Sequence, residues 1–212
     1  MVDFNERIEN FKVITLGLSG VGKTCLLNGY NGKTYFDDIY STISSNYFIK
    51  KIKFEELDYN MQIWDTPGRE VFFNLLKIFV KNSHIIILVF DMTNKESFLY
   101  LDKILEMIEL QMGLNKSMFV LIGNKADRFE EWEIRESDAK EFANILHAKF
   151  FLSSAKNDPY LFQDFLDGVF QDFIKIYNKN VDPIDRGRQR TIILNRGNRN
   201  NRQNRRRVRC CD

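Results

Sequence analysis

Apolar and polar positions along this chain fall into blocks whose period changes from one to the next. FKVITLG (11–17) is an unbroken β-branched and apolar run closed by glycine, which predicts a buried strand. A glycine-rich turn follows, and KTCLLNGY begins a helix. NYFIKKIKF (46–54) and NMQIWD (60–65) alternate apolar with polar residues, as two strands of one sheet joined by the acidic turn EELDY would. IIILVFD (85–91) and MFVLIGN (118–124) are continuously apolar, the pattern of strands covered on both faces. Between them, ESFLYLDKILEMIEL carries Phe98, Leu101, Ile104 or Leu105, and Ile108 at helical spacing. KFFLSS (149–154) reads as a last short strand.

The final helix announces its start. Asp158 is placed to cap it, and Pro159 suits a first turn, where a missing N–H costs nothing. Phe162, Phe165, Leu166, Val169, Phe170, Phe173 and Tyr177 then recur every third or fourth residue, a face to be packed on the sheet. Strand and helix alternate throughout, so the fold class is α/β with a largely parallel sheet. Beyond Tyr177 the periodicity stops. The Asn/Arg-rich stretches DRGRQR and NRGNRNNRQNRRRVR cannot build a core and are expected to be disordered. Residues 1–177 are therefore read as one domain and 178–212 as a tail.

Composition refines this picture at both ends. With 212 residues, 44% of them hydrophobic and 19 Phe, the chain has material for one well-filled core and little room for a second. No apolar run nears the roughly 18 residues of a membrane span, and MVDFNERIENFKVITLG lacks a secretory pattern, so a cytosolic body is expected. The net charge of +2 hides an asymmetry: from Asn178 onward ten Arg and one Lys face three Asp, whereas residues 1–177 hold 20 basic and 26 acidic residues. An acidic body with a basic arm points to an anionic surface as partner. Three cysteines, Cys25, Cys210 and Cys211, make no disulfide framework. His84 and His147 form no metal constellation.

The chemistry begins where the first strand ends. In GLSGVGKT, Gly17, Gly22, Lys23 and Thr24 satisfy G-x-x-x-x-G-K-[ST]. Small residues let the backbone N–H groups of Ser19, Gly20, Val21, Gly22, Lys23, Thr24 and Cys25 curl around phosphate oxygens, with the helix dipole behind them. Lys23 would reach the β- and γ-phosphates, and the Thr24 hydroxyl would bind Mg²⁺. The base is read elsewhere. Asn124, Lys125 and Asp127 form N-K-x-D at the end of an apolar strand, about 100 residues later. The Asp127 carboxylate can accept from N1–H and the exocyclic amine of guanine, an arrangement adenine does not offer. Such a site rejects the wrong base by roughly 10⁴ or more. Ser154, Ala155 and Lys156 follow the next strand, with the Ala155 N–H aimed at the guanine O6. Asp65 in WDTPG can hold the Mg²⁺ shell through water, and the Gly68 N–H can meet the γ-phosphate. Thr42 lies in a polar loop that a γ-phosphate and Mg²⁺ would order.

GLSGVGKTCLL, STI, WDTPG, VFDMTNKESF, GNKAD and SSAK, in this order and spacing, resemble a small GTPase of the Ras superfamily, of the Rab type, over residues 8–177. The resemblance implies a P-loop NTPase fold of six strands and five helices, GTP and GDP as ligands, Mg²⁺ as cofactor, and switch loops near 34–47 and 65–80. It implies effector, exchange-factor and GTPase-activating partners at those switches, and a role in vesicle traffic. It also makes Tyr35 the aromatic at the edge of the guanine, Trp64 the family tryptophan before the switch aspartate, and Ser19 a common phosphate-loop residue. The sequence departs from the pattern at four places. ISSNY (43–47) replaces the usual Ile-Gly-Val-Asp-Phe, Leu18 a common Asp, and Pro67 an Ala, and REVFFNLLKIFV is unusually apolar, as a packed helix, a partner face, or some of each.

A further departure touches catalysis. Relatives carry Gln at the position of Arg69, where it accepts from the attacking water; Arg has donors only and cannot do so. Arg69 is either a built-in arginine finger or a partner of an acidic neighbour such as Glu70 that leaves hydrolysis slow. Charge stabilisation without a positioned water is half a mechanism, so slow turnover is the expectation, with a GTP-locked or pseudo-GTPase scaffold as its extreme.

The end of the chain reads RRRVRCCD. A single-prenyl box needs Cys fourth from the end, where Arg209 stands. Cys210 and Cys211 instead resemble the doubly geranylgeranylated ends of Rab proteins. Two lipids anchor where one is marginal, and each nearby Arg adds about 1 kcal/mol on an anionic surface. The expected location is the cytoplasmic face of an intracellular membrane, in exchange with cytosol, on an arm spanning roughly 30 Å as a flexible coil. RNA binding through the Arg-rich tail is the competing class. It is disfavoured, because the arm has no aromatic residue to stack bases and RNA has no use for paired terminal cysteines.

Overall fold

The computed structural model describes residues 9–33, 42, 46–55, 57–68, 73–114 and 117–180, without the side chains of 73–75 and 180. Among them six strands and five helices alternate: β1 (Glu9–Leu16), α1 (Lys23–Tyr30), β2 (Asn46–Phe54), β3 (Leu57–Asp65), α2 (Phe73–Val80), β4 (Ile85–Asp91), α3 (Lys95–Met112), β5 (Met118–Asn124), α4 (Glu136–Ile145), β6 (Lys149–Leu152) and α5 (Pro159–Asn180). The sheet order is β2-β3-β1-β4-β5-β6. Only β2 runs antiparallel, pairing with β3; the other pairs are parallel. The largely parallel α/β expectation holds. No helix of the described residues is long and apolar enough to cross a membrane.

Two compact units divide within α5, at Gln171 and Asp172. In the first, β4 is buried at every position, as its apolar run predicts. One face of the sheet packs a cluster that includes Leu76 and Val80 of α2, Leu101, Ile104 and Ile108 of α3, and Ala139 and Ala143 of α4. Toward the other, Tyr30 of α1 meets Phe48, Phe162 and Phe170 at ring centroids of 6.2–6.3 Å and donates to Asp167 Oδ1 at 2.5 Å. Phe151 stacks on Phe165. In the second unit, the described residues continue the helix, with Phe173 stacked on Tyr177 and Lys175 paired with Asp172.

Boundaries differ from the sequence reading at two places. EELDY is not a turn: β3 begins at Leu57, which pairs with Phe54, and Glu55 turns the chain in the left-handed region at φ 54°. Leu57 and Tyr59 point inward, and their burial outweighs the turn propensity of the acidic residues. The last strand ends at Leu152, releasing Ser153 and Ser154 into the following loop. α3 opens as expected of a capped helix, with Asn94 accepting from the Ser97 N–H at 3.0 Å and Gly113 closing it at φ 78°.

Candidate functional site

Apart from Thr42, which lies between α1 and β2, the sequence-predicted site residues among the described ones lie at the carboxyl ends of β1, β3, β5 and β6, in the loops they feed, or in the first turn of α1. Parallel strands deliver their ends to one edge, so residues more than 100 positions apart meet there. Tyr35, Arg69, Glu70, Cys210 and Cys211 lie outside the described residues, as do residues 43–45 of the ISSNY run.

The turn after β1 needs its glycines. A Cβ on Gly17 would stand 2.1 Å from the Val89 carbonyl oxygen, and one on Gly22, at φ 93°, 2.2 Å from Asn124 Nδ2. Lys23 opens α1 and is buried; its Nζ donates to the Gly17 and Leu18 carbonyls at 2.9 Å each. Burial pushes its ammonium down to about 8, against the pull of the Asp65 charge. Gly68 comes close from the far side: a Cβ there would lie 2.3 Å from Lys23 Nζ and 2.7 Å from the Ser19 nitrogen. The buried Thr66 donates its hydroxyl to the Thr15 carbonyl at 2.5 Å, anchoring the segment that carries Gly68.

The three oxygens expected to serve a metal converge. Thr24 Oγ1 donates to Asp65 Oδ2 at 2.7 Å and lies 2.8 Å from Thr42 Oγ1. Asp65 Oδ1 is buried with no hydrogen-bond partner among the described residues. Burial pushes the Asp65 carboxyl up, only partly offset by the Thr24 bond and the Lys23 charge. An orphaned buried carboxylate oxygen among hard hydroxyl donors is a donor set that suits Mg²⁺, which keeps waters and takes few protein ligands.

The N-K-x-D side is joined to this loop by one side chain. Asn124 Nδ2 donates to the Val21 carbonyl at 2.8 Å, while its Oδ1 accepts from the Ala155 N–H at 3.2 Å. Phosphate loop, N-K-x-D and S-A-K are thereby locked together. Asp127 Oδ1 accepts from Ser154 Oγ at 2.6 Å, and Ser154 Oγ in turn accepts from the Asn157 N–H at 3.0 Å. Lys125 adopts a left-handed φ of 60°, and its ammonium meets Asp91, to which the sequence reading gives no role. A cavity of about 210 Å³ adjoins the outer side of Asp127, bounded by Ser153, Phe151, Asp158 and Leu161. Lys156 is exposed, and Cys25 is half-buried, its thiol pushed up chiefly by burial.

The second switch segment is divided in its exposure. Leu76 and Val80 face the core, whereas Ile78 is 69% exposed. Trp64 lies between Tyr47, stacked at 4.7 Å, and Phe79 at 6.0 Å, and Tyr47 and Ile49 leave about half their surface in solvent. An apolar strip thus runs from β2 across β3 to α2.

Comparison with known proteins agrees with this geometry. A family model described as the Ras family matches residues 12–175. GTP-binding protein ypt1 of Schizosaccharomyces pombe is 36% identical over 158 residues, covering 74% of this chain and 76% of that protein.

Proposed function

Because the chain belongs to the Ras family and is a Rab-type small GTPase, we propose that it is a GTP-binding switch of vesicle traffic whose own hydrolysis is slow. The observation that carries the nucleotide reading is Asn124, which bonds the phosphate loop and the Ala155 loop at once and leaves both facing one ligand. Ser19, Gly20, Val21, Gly22, Lys23, Thr24 and Cys25 take the phosphates through their backbone N–H groups, and Lys23 exchanges its carbonyl partners for phosphate oxygens. Asp127, steadied by Ser154, selects guanine. Thr24 and Thr42 would hold Mg²⁺ directly and Asp65 through water, and the ion would supply neutralisation of phosphate charge. Gly68 offers its N–H to the γ-phosphate from beside Lys23.

Slow turnover rests on Arg69, which has no acceptor with which to place the water. Single-turnover GTP hydrolysis by the full chain, beside Arg69→Gln and with bound nucleotide identified by chromatography, tests it. A slow wild type and a faster variant are expected; a variant slower than wild type would make Arg69 a finger. The strip from Tyr47 through Trp64 and Phe79 to Ile78 is the face that effectors and regulators would read in the GTP state. The basic arm from Asn178, with Cys210 and Cys211 lipidated, would hold the switch on an anionic membrane. Replacing both cysteines should release the protein to the soluble fraction; retention by RNase-sensitive material would favour nucleic acid instead.

A further inference from the structure

Asp91 closes β4 and is the register partner of Asn124 at the end of β5. Its carboxylate is buried and held from three directions. Oδ1 accepts from the Thr93 N–H at 2.9 Å and the Thr93 hydroxyl at 2.8 Å, and Oδ2 lies 2.6 Å from Lys125 Nζ. Its own N–H donates at 2.9 Å to Ser97 Oγ, itself wholly buried in the first turn of α3. The neighbouring cation, Arg128, pairs with Glu131 and leaves Asp91 to Lys125. So the carboxylate has one orientation, set by a tight turn.

Lys125 has the opposite character: a left-handed backbone and a stem of four rotatable bonds, with 31% of the side chain exposed. A lysine with that freedom must be ordered when a ligand arrives, at a cost in rotamer entropy. We infer that Asp91 is a positioning residue for guanine binding: it ties down the Lys125 ammonium so that the lysine stem beside the base is ordered in advance. The inference rests on the guanine reading of the N-K-x-D loop given above. Its physical content is preorganisation, in which the ordering cost is met on folding rather than on binding. A buried carboxylate with three partners is also a costly thing to keep in a strand end that only needed to pack.

The test is a double-mutant cycle on GDP release from the full chain, with Asp91→Asn, Lys125→Met and the pair. Methionine keeps an unbranched stem without the ammonium. Asp91→Asn should speed release about three- to tenfold, the scale of immobilising one long side chain, and should change it little in the Lys125→Met background. Equal acceleration in both backgrounds would mean that Asp91 only supports the strand end, and no acceleration in either would mean that Lys125 needs no anchor; each overturns the inference. If Asp91→Asn does not fold by circular dichroism, Thr93→Val supplies the same comparison by removing one bond to Oδ1. It should speed release about twofold in the wild type alone, and an equal acceleration in both backgrounds, or none in either, counts against the proposal. A wild-type chain that holds no GDP would instead overturn the guanine reading underneath.

Discussion

The end of the site that we propose reads the base and the end that we propose takes the phosphates differ in how many of their polar groups are already satisfied. At the base end, Asn124 uses both side-chain atoms, Asp127 is held by Ser154, and Lys125 is paired with Asp91. At the phosphate end, Lys23 leans on its own loop's carbonyls, and Asp65 keeps a buried oxygen with no partner among the described residues. One end is a finished template. On the function proposed above, the other exchanges its bonds when phosphate and metal change. Two of the departures from the family pattern, Leu18 and Pro67, fall on this end, next to Ser19 and Gly68.

The contrast breaks most visibly at Asp127. Asp127→Ala removes the acceptor for both guanine donors and should weaken GDP binding about 10⁴-fold, measured by nucleotide titration; a loss under tenfold would mean that the base is read elsewhere. Gly22 belongs to both ends, since its missing Cβ makes room for Asn124. Gly22→Ala forces a side chain into a left-handed backbone and against that amide, so it should cost about 2–3 kcal/mol of folding stability in urea titrations. Asp65→Asn sharpens the comparison from the phosphate end. It should cut the Mg²⁺-dependent retention of nucleotide about 10- to 100-fold, while retention in EDTA changes little.

The smallest effect lies away from both. Burial pushes the His84 imidazole below its ordinary 6.5, with Glu9 pulling up and Lys12 pushing further down. The folded state favours the neutral ring, whose Nδ1 accepts the Lys12 N–H at 3.0 Å. Below pH 6.5 the unfolded chain therefore binds more protons, and stabilisation fully present above that value is lost as pH falls from it through the lower value of the folded state. His84→Gln keeps an acceptor without the titration. It should lose a few tenths of a kcal/mol less than wild type between about pH 7 and 5, given screening at a half-exposed site. Equal losses would assign the acid sensitivity to carboxylates.

What the chain alone determined was whatever is written in contiguous residues. A phosphate loop is made of its own backbone N–H groups, so G-x-x-x-x-G-K-T shows it without any partner. An apolar run such as IIILVFD shows a doubly covered strand for the same reason. α4 left no such mark, because it buries only Ala139 and Ala143, and two small residues make no visible stripe; five helices were implied only by the family resemblance. Tertiary structure alone decided the contacts between motifs: Asn124 on Val21 and Ala155, Asp91 on Lys125, and the start of β3 at Leu57. Each depends on strand register, and register is set by the packing of residues far apart in the chain, which no local pattern records.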